Sequence, residues 1–444
     1  MGEKIIVTKK GKLTGVNMPG YTVYKGIPYA KPPVGDLRWK APQEAEPWEG
    51  VYKADKFSTI CYQLGQEAGS FYHKEFYSEP EFLSPMSENS LFLNIWVPDT
   101  ETEVKLPVAF WIHGGAFING YGHELEFDGE AFTKKGVILV TINYRLGPFG
   151  FLAHPWLSAE NEESISGNYG ILDQLAALNW VYDNIASFGG DPEKITVFGQ
   201  SAGCMSVQTL VSSELSKGKI AGAVFQSAGG YHAGINRDRT LKEAEELGLE
   251  FSGLCEVNNL EQLRNLPPER IMDKFVEQSR IYSEKGNPGL LLIPVIDGYL
   301  LKEGYDDIVD HNKHLSIPYM IGSTKNDLGV TKEMLRNDVK SQLYKGCINW
   351  SLKQEELNRE PSYVYYFTRS PLGDDEGAFH SSELWYVFGT LDRSWRPKTE
   401  EDYILSEKMI GYWTNFVKTG NPNGPGLEEW PPCTKVNPYV LELK

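Results

Sequence analysis

The feature that most restricts how this chain can fold is the run EKITVFGQSAGCMSVQTLV, residues 193–211. Its first half is an apolar, β-branched strand pattern, its second half reads as a helix, and only a few residues separate them. A strand that becomes a helix over so short a distance needs a sharp, sterically strained turn. Gly199 and Gly203, flanking Ser201, let neighbouring backbone pack close on both sides of such a turn. A chain built on this unit is expected to form a mostly parallel sheet covered by helices on both faces.

The remaining pattern agrees. LPVAFWIHGG (106–115) and GVILVTINYR (136–145) are short runs of the kind found in buried strands. In GNYGILDQLAALNWVYDNIASFGGDP (167–192), Ile171, Leu175, Leu178, Tyr182 and Ile185 recur at helical period. IAGAVFQSAG, IPYMIGST and SYVYYFTR supply later strands. The first hundred residues read instead as a small antiparallel β region, with KIIVT, YTVYKGIPYA and LFLNIWVP as its strands. No repeat, low-complexity tract or linker divides residues 1–444, so a single domain is expected. In such folds functional residues sit on loops at the carboxyl ends of the strands.

Charge narrows the partners. With 60 acidic against 43 basic residues the net charge is −17, which disfavours nucleic acid and anionic membranes. No apolar run approaches the roughly 20 residues that span a bilayer, and the first residues lack a signal-peptide core. The five cysteines are scattered, with neither disulfide-framework nor metal-ligand spacing. A cytoplasmic protein is expected. The absence of P-loop, dinucleotide, HExxH and clustered Cys/His patterns predicts no cofactor and no metal.

A serine hydroxyl attacks a carbonyl only after a base removes its proton, so it must stand where a base can reach it. Ser201, on a G-x-S-x-G turn ahead of a helix N-terminus, meets that need and faces a field that favours developing negative charge. Acyl transfer also needs N–H donors for the oxyanion. WIHGGAF (111–117) follows a strand, precedes Ser201 and leaves its glycine N–H groups accessible; His113 is read as orienting that loop. On strand–turn–helix hydrolases the chain order is serine, acid, histidine. His232 follows its strand too closely for an acid strand to intervene, and His311 and His314 are read as solvent-facing. His380, beyond the last strong strand, is the expected base, and Asp327, just after IPYMIGST, the expected acid. Asp306, Asp307 and Asp310 lie before that strand, while the 374–376 acidic run and Glu162–Glu163 are read as solvated surface. Cys204 is read as a packed hydrophobe.

Together these stretches resemble the type-B carboxylesterase and cholinesterase family of α/β-hydrolases, in its bacterial form. The likeness includes YKGIPYAKPPVGDLRWKAP (24–42), SENSLFLNIWVP (87–98), the long run 167–203 and YWTNFVKTGNPNG (412–424). It implies an α/β-hydrolase fold and hydrolysis of small-molecule carboxylic esters through an acyl-enzyme. It further implies nucleophile Ser201, base His380 and acid Asp327, with oxyanion donors at the N–H groups of Gly115, Ala116 and Ala202. Ser227 is implied as a hydrogen bonder behind the triad. Several positions depart from the family. Asp327 stands where glutamate is usual, Ala116 where many members have a third glycine, and Ser90 where a partner for Cys61 would lie. Gln262 falls near where Cys255 would find its partner, so neither family disulfide is expected. Gln200 replaces the glutamate of cholinesterases, and the loop between Cys61 and Ser90 has no tryptophan, which argues against choline esters.

The 53 residues from Asp327 to His380 are few for this family, which predicts a wide entrance. Phe117, Phe149 and Trp385 are expected to line an apolar, uncharged pocket that takes short to medium esters with broad specificity. The same residues would also serve an acyltransferase or amidase. A non-catalytic binding protein would not need the complete set. Oligomeric state is not legible.

Overall fold

A computed structural model describes residues 4–100, 104–235, 237–287 and 289–444. Thirteen strands run in chain order: β1 Ile6–Thr8, β2 Gly11–Thr14, β3 Val16–Met18, β4 Tyr21–Pro28, β5 Val51–Lys53, β6 Phe92–Pro98 and β7 Leu106–Ile112. Then come β8 Ile138–Ile142, β9 Gly190–Gln200, β10 Gly222–Gln226, β11 Tyr319–Thr324, β12 Tyr363–Phe367 and β13 Leu441–Leu443. Ten form one sheet in the order β13-β12-β11-β10-β9-β7-β8-β6-β4-β3. From β13 to β8 every neighbouring pair is parallel; β8, β6, β4 and β3 continue the sheet antiparallel. The expected N-terminal antiparallel β region is present and mostly extends this sheet. β6 pairs with β8 on one side and β4 on the other, which draws β3 and β4 into the main sheet. A small second sheet, β1-β2-β5, stands apart and is itself mixed, since β5 joins β2 in parallel.

Residue alternation along the central strands sorts the core into two layers. Phe110, Val140, Val197, Phe225 and Ile321 pack on one face with Leu178, Val207 and Trp350, which come from the helices Tyr169–Asn184, Ala202–Val211 and Gln342–Glu356. Trp111, Leu139, Phe198, Val224 and Met320 pack on the other with Met409, Trp413 and Phe416 of the helix Glu400–Thr419. These fully buried strands explain the near-continuous apolar runs in the sequence. His314, expected at the surface, is instead buried beneath the helix Gln342–Glu356, its Nε2 3.1 Å from Gln354 Oε1. His311 is the exposed one and pairs with Glu303.

Strand register is what assembles a site. Ile112 at the end of β7 lies beside Gly199 of β9; Gln200 lies beside Gln226 of β10, and Gln226 beside Gly322 of β11. The loops leaving these strands therefore start side by side on one edge.

Candidate active site

β9 passes directly into the helix Ala202–Val211 through Ser201, at φ 56° and ψ −126°. That left-handed conformation is strained for a residue with a side chain. It is held by the Ser201 N–H donating to the Gln226 carbonyl at 2.9 Å. Both flanking glycines are required: a Cβ on Gly203 would lie 2.1 Å from the Ile112 carbonyl oxygen, and one on Gly199 2.5 Å from that of Gly203. The turn leaves Ser201 half-buried and the first N–H groups of the helix without intrahelical partners.

The loop after β7 lies against this turn. A Cβ on Gly114 would meet the Gln200 carbonyl oxygen at 2.7 Å and Ser201 Cβ at 3.1 Å. Gly115, Ala116 and Phe117 follow at φ 97°, 55° and 62°, a left-handed run that turns the loop's backbone sharply. Gly114, Gly115 and Ala116 are half-buried, whereas His113 behind them is fully buried. Its ring stacks on Tyr144 at 4.4 Å, its Nδ1 lies 2.9 Å from the Gly114 carbonyl, and the Tyr144 hydroxyl donates to the His113 carbonyl. Burial pushes the imidazole down to about 4, so His113 is neutral near pH 7 and shapes the loop.

Asp327 and His380 meet across two loops tied together by the Asn326 N–H, which donates to the Ala378 carbonyl at 2.9 Å. His380 Nδ1 is 2.6 Å from Asp327 Oδ1. Asp327 also accepts from the N–H groups of Thr324 (2.9 Å) and Leu328 (2.8 Å). Burial drives this carboxyl upward. The His380 charge and hydrogen bond and the Thr324 N–H outweigh burial and hold it below the usual carboxylate range. Gln200 Nε2 approaches the same imidazole, 3.2 Å from Nε2.

Ser201, Ala202, Gly115, Ala116, Gln200 and His380 all open on one cavity of about 460 Å³. Its lining differs from expectation. Phe117 packs on Phe151, Phe149 on Tyr62, and the Trp385 indole N–H donates to Glu75, so all three lie one layer behind the wall. The aromatic lining is Tyr72, Phe76, Tyr77 and Phe127, and two carboxyls, Glu124 and Glu126, stand among them. Sequence reasoning missed this pair; the alternation HELEF (123–127) was its only signal. Both are buried, and desolvation raises both, with the charge of Glu124 raising Glu126 further. Glu383, three residues past His380, is buried too, pushed up to about 7 by desolvation and by the Asp327 charge. Asp374 lies at the surface, as expected, and both its oxygens also accept from the buried Arg396 guanidinium, at 2.9 and 2.7 Å. All five cysteines are buried and unpaired. Among the described residues no three His, Cys, Asp or Glu side chains are grouped to hold a metal, and no helix is long and apolar enough to cross a membrane.

A sequence model of the carboxylesterase family matches residues 2–345 and 341–444. The para-nitrobenzyl esterase of Bacillus subtilis is 34% identical, covering 97% of this chain and 93% of its own length. The fumonisin B1 esterase of Sphingopyxis macrogoltabida is 32% identical over 96% of this chain and 83% of its own. A solved PNB esterase superposes with a TM-score of 0.86 at 30% identity, covering 100% of this chain and 96% of that one. A Geobacillus stearothermophilus carboxylesterase gives 0.81 at 30% identity, covering 99% and 96%. The fold is the α/β-hydrolase fold, and the chain belongs to the carboxylesterase family.

Proposed function

We propose that this carboxylesterase cleaves its substrates with Ser201 as nucleophile, His380 as general base and Asp327 as the acid that orients it, residues 1–444 acting as one domain. The observation that carries the assignment is the 2.6 Å contact between His380 Nδ1 and Asp327 Oδ1 beside a cavity that also holds the strained Ser201 turn. Asp327, kept ionised, holds the proton on Nδ1, which leaves Nε2 to accept the Ser201 proton as the hydroxyl attacks the ester carbonyl. The N–H groups of Gly115, Ala116 and Ala202 receive the oxyanion. His380 then returns the proton to the departing alcohol, and water repeats the sequence on the acyl-enzyme. Short to medium carboxylic esters fit a cavity of about 460 Å³. Five unpaired cysteines, a strongly acidic composition and the likeness to the Bacillus subtilis relative support a bacterial, cytoplasmic enzyme without a nucleic-acid or membrane partner.

Ser201→Ala and His380→Ala should each lower turnover by up to about 10⁶-fold, and the double variant should be little worse, since such groups act as a unit. Fluorophosphonate should label the native protein and not Ser201→Ala, with circular dichroism unchanged. Near-native turnover in either variant would overturn the assignment.

A further inference from the structure

The mechanism leaves Glu124 and Glu126 unused, although both line the cavity that holds Ser201. They are 5% and 2% exposed. Glu124 is anchored: the Tyr77 hydroxyl donates to its Oε1 at 2.5 Å and the Tyr121 N–H at 3.3 Å. Glu126 differs, because no donor among the described residues reaches its Oε2. A buried acceptor without a donor is costly, and a second carboxyl beside it makes the cost larger. Among the described residues the cavity lining contains no lysine or arginine to offset the pair.

In the free protein desolvation raises both carboxyls, and the charge of Glu124 raises Glu126 further, so the pair favours keeping a proton. A ligand that brings its own positive charge and its own N–H can take that proton's place. One proton leaves, one ammonium enters, the net charge of the site is unchanged, and Glu126 Oε2 gains the donor it lacks. The aromatic residues Phe76, Tyr77 and Phe127 in the same wall suit a cation as well. At longer range the net charge of −17 draws cations toward the molecule. Two carboxyls fall short of the six or more oxygens a calcium ion takes, so an organic cation suits them better.

We propose that Glu124 and Glu126 form a subsite for an N–H-bearing ammonium, so that the esters this enzyme takes best carry a protonated amine. The proposal rests on the catalytic assignment above and names its substrate class. It is distinct from choline recognition, because a quaternary ammonium has charge but no N–H to give Glu126.

The test compares kcat/KM for dimethylaminoethyl acetate, protonated at neutral pH, with its uncharged isostere isopentyl acetate, and with acetylcholine. A second pair moves the ammonium to the acyl side: ethyl dimethylaminobutyrate against ethyl methylhexanoate. The ammonium ester should be favoured by about tenfold or more in one of the pairs. Acetylcholine should gain less. Glu126→Gln and Glu126→Leu, with fluorophosphonate titration counting competent sites, should bring the favoured ratio close to one. If either variant fails to fold, competitive inhibition of the native enzyme by dimethylaminoethanol against isopentanol reads the same preference. Equal hydrolysis of charged and neutral esters in both pairs would overturn the subsite and leave the catalytic assignment standing. So would a preference that survives both substitutions, or acetylcholine matching the N–H ammonium. Failure of every ester would instead strike the catalytic reading, and the subsite with it.

Discussion

At the residue scale the site depends on Asp327 doing three things with two oxygens. Oδ1 meets His380 Nδ1 and the Leu328 N–H, while Oδ2 accepts from the Thr324 N–H. An asparagine cannot satisfy all three. If its oxygen faces the imidazole, its amide confronts the Thr324 N–H with a second donor; if it is flipped, the imidazole must take the other tautomer. Asp327→Asn should therefore lower kcat by roughly 10⁴-fold, as expected when the tautomer-fixing anion is lost. Asp375→Asn and Glu376→Gln, on the exposed part of the histidine loop, should change kcat little. If the ranking reverses on steady-state measurement, the acid lies in the 374–376 loop. Aspartate in place of the family's usual glutamate is one methylene shorter, yet the 2.6 Å contact is made because the Asn326–Ala378 hydrogen bond draws the two loops together.

At the scale of elements, the short helix Phe71–Phe76 supplies Tyr72 and Phe76 to the cavity wall, and a buried ionic cluster fixes it. Glu75, at its end, accepts from Arg396 Nε (2.9 Å) and from the indole N–H groups of Trp385 (2.9 Å) and Trp395 (2.8 Å). Arg396→Met would strand Glu75 as an unpaired buried charge, a change that costs roughly 3–5 kcal/mol. The variant should show that loss in its urea midpoint and a KM rise larger than its kcat fall. Adding Glu75→Gln should recover much of the stability, and a loss under about 1 kcal/mol in Arg396→Met would show the cluster is not the clamp. These elements also mark what was legible beforehand. The strands around Ser201 could be read because burial on both faces leaves unbroken apolar runs, and the turn because only glycine fits at 199 and 203. The pairing of Asp374 with Arg396 is not legible in the sequence, because the two stand 22 residues apart. Phe117, Phe149 and Trp385, expected in the pocket wall, are buried behind it, because an apolar pattern alone does not tell a wall from the layer behind it. Glu124, Glu126 and Glu383 sit in stretches that otherwise read as core, and only the fold shows that they converge on the site.

Across the whole molecule, buried titratable groups of opposite kinds set the pH range of stability. His113, His154 and His314 are pushed down to about 4, and His123 to about 3, all chiefly by desolvation. Unfolding lets them bind protons below their ordinary value of 6.5, so the unfolded chain holds more protons and stability falls as pH drops from there toward 4. Glu124, Glu126 and Glu383 shift the other way, again chiefly by desolvation, with Glu383 at about 7. Their contribution is fully present below the ordinary carboxyl value of 4.5 and is lost as pH rises through the folded values. For Glu383 alone, moving from 4.5 to about 7 corresponds to at most roughly 3 kcal/mol lost between those two pH values. Between about 4.5 and 6.5 the two sets oppose each other and partly offset, the four histidines outnumbering the three carboxyls. Urea midpoints measured from pH 4 to 9 should therefore trace a broad maximum on the acid side of neutrality, falling on both flanks. Below about 4 the loss of ionised Asp327 steepens the acid flank, because its depressed carboxyl stabilises only while charged. Glu383→Gln and Glu126→Leu should each remove a share of the loss that begins near 4.5, so the maximum moves to higher pH and the alkaline side flattens, while the histidine-driven fall toward pH 4 remains. A native profile that keeps rising through pH 8, or an alkaline flank indifferent to both substitutions, would show that these carboxyls do not stay protonated in the folded protein.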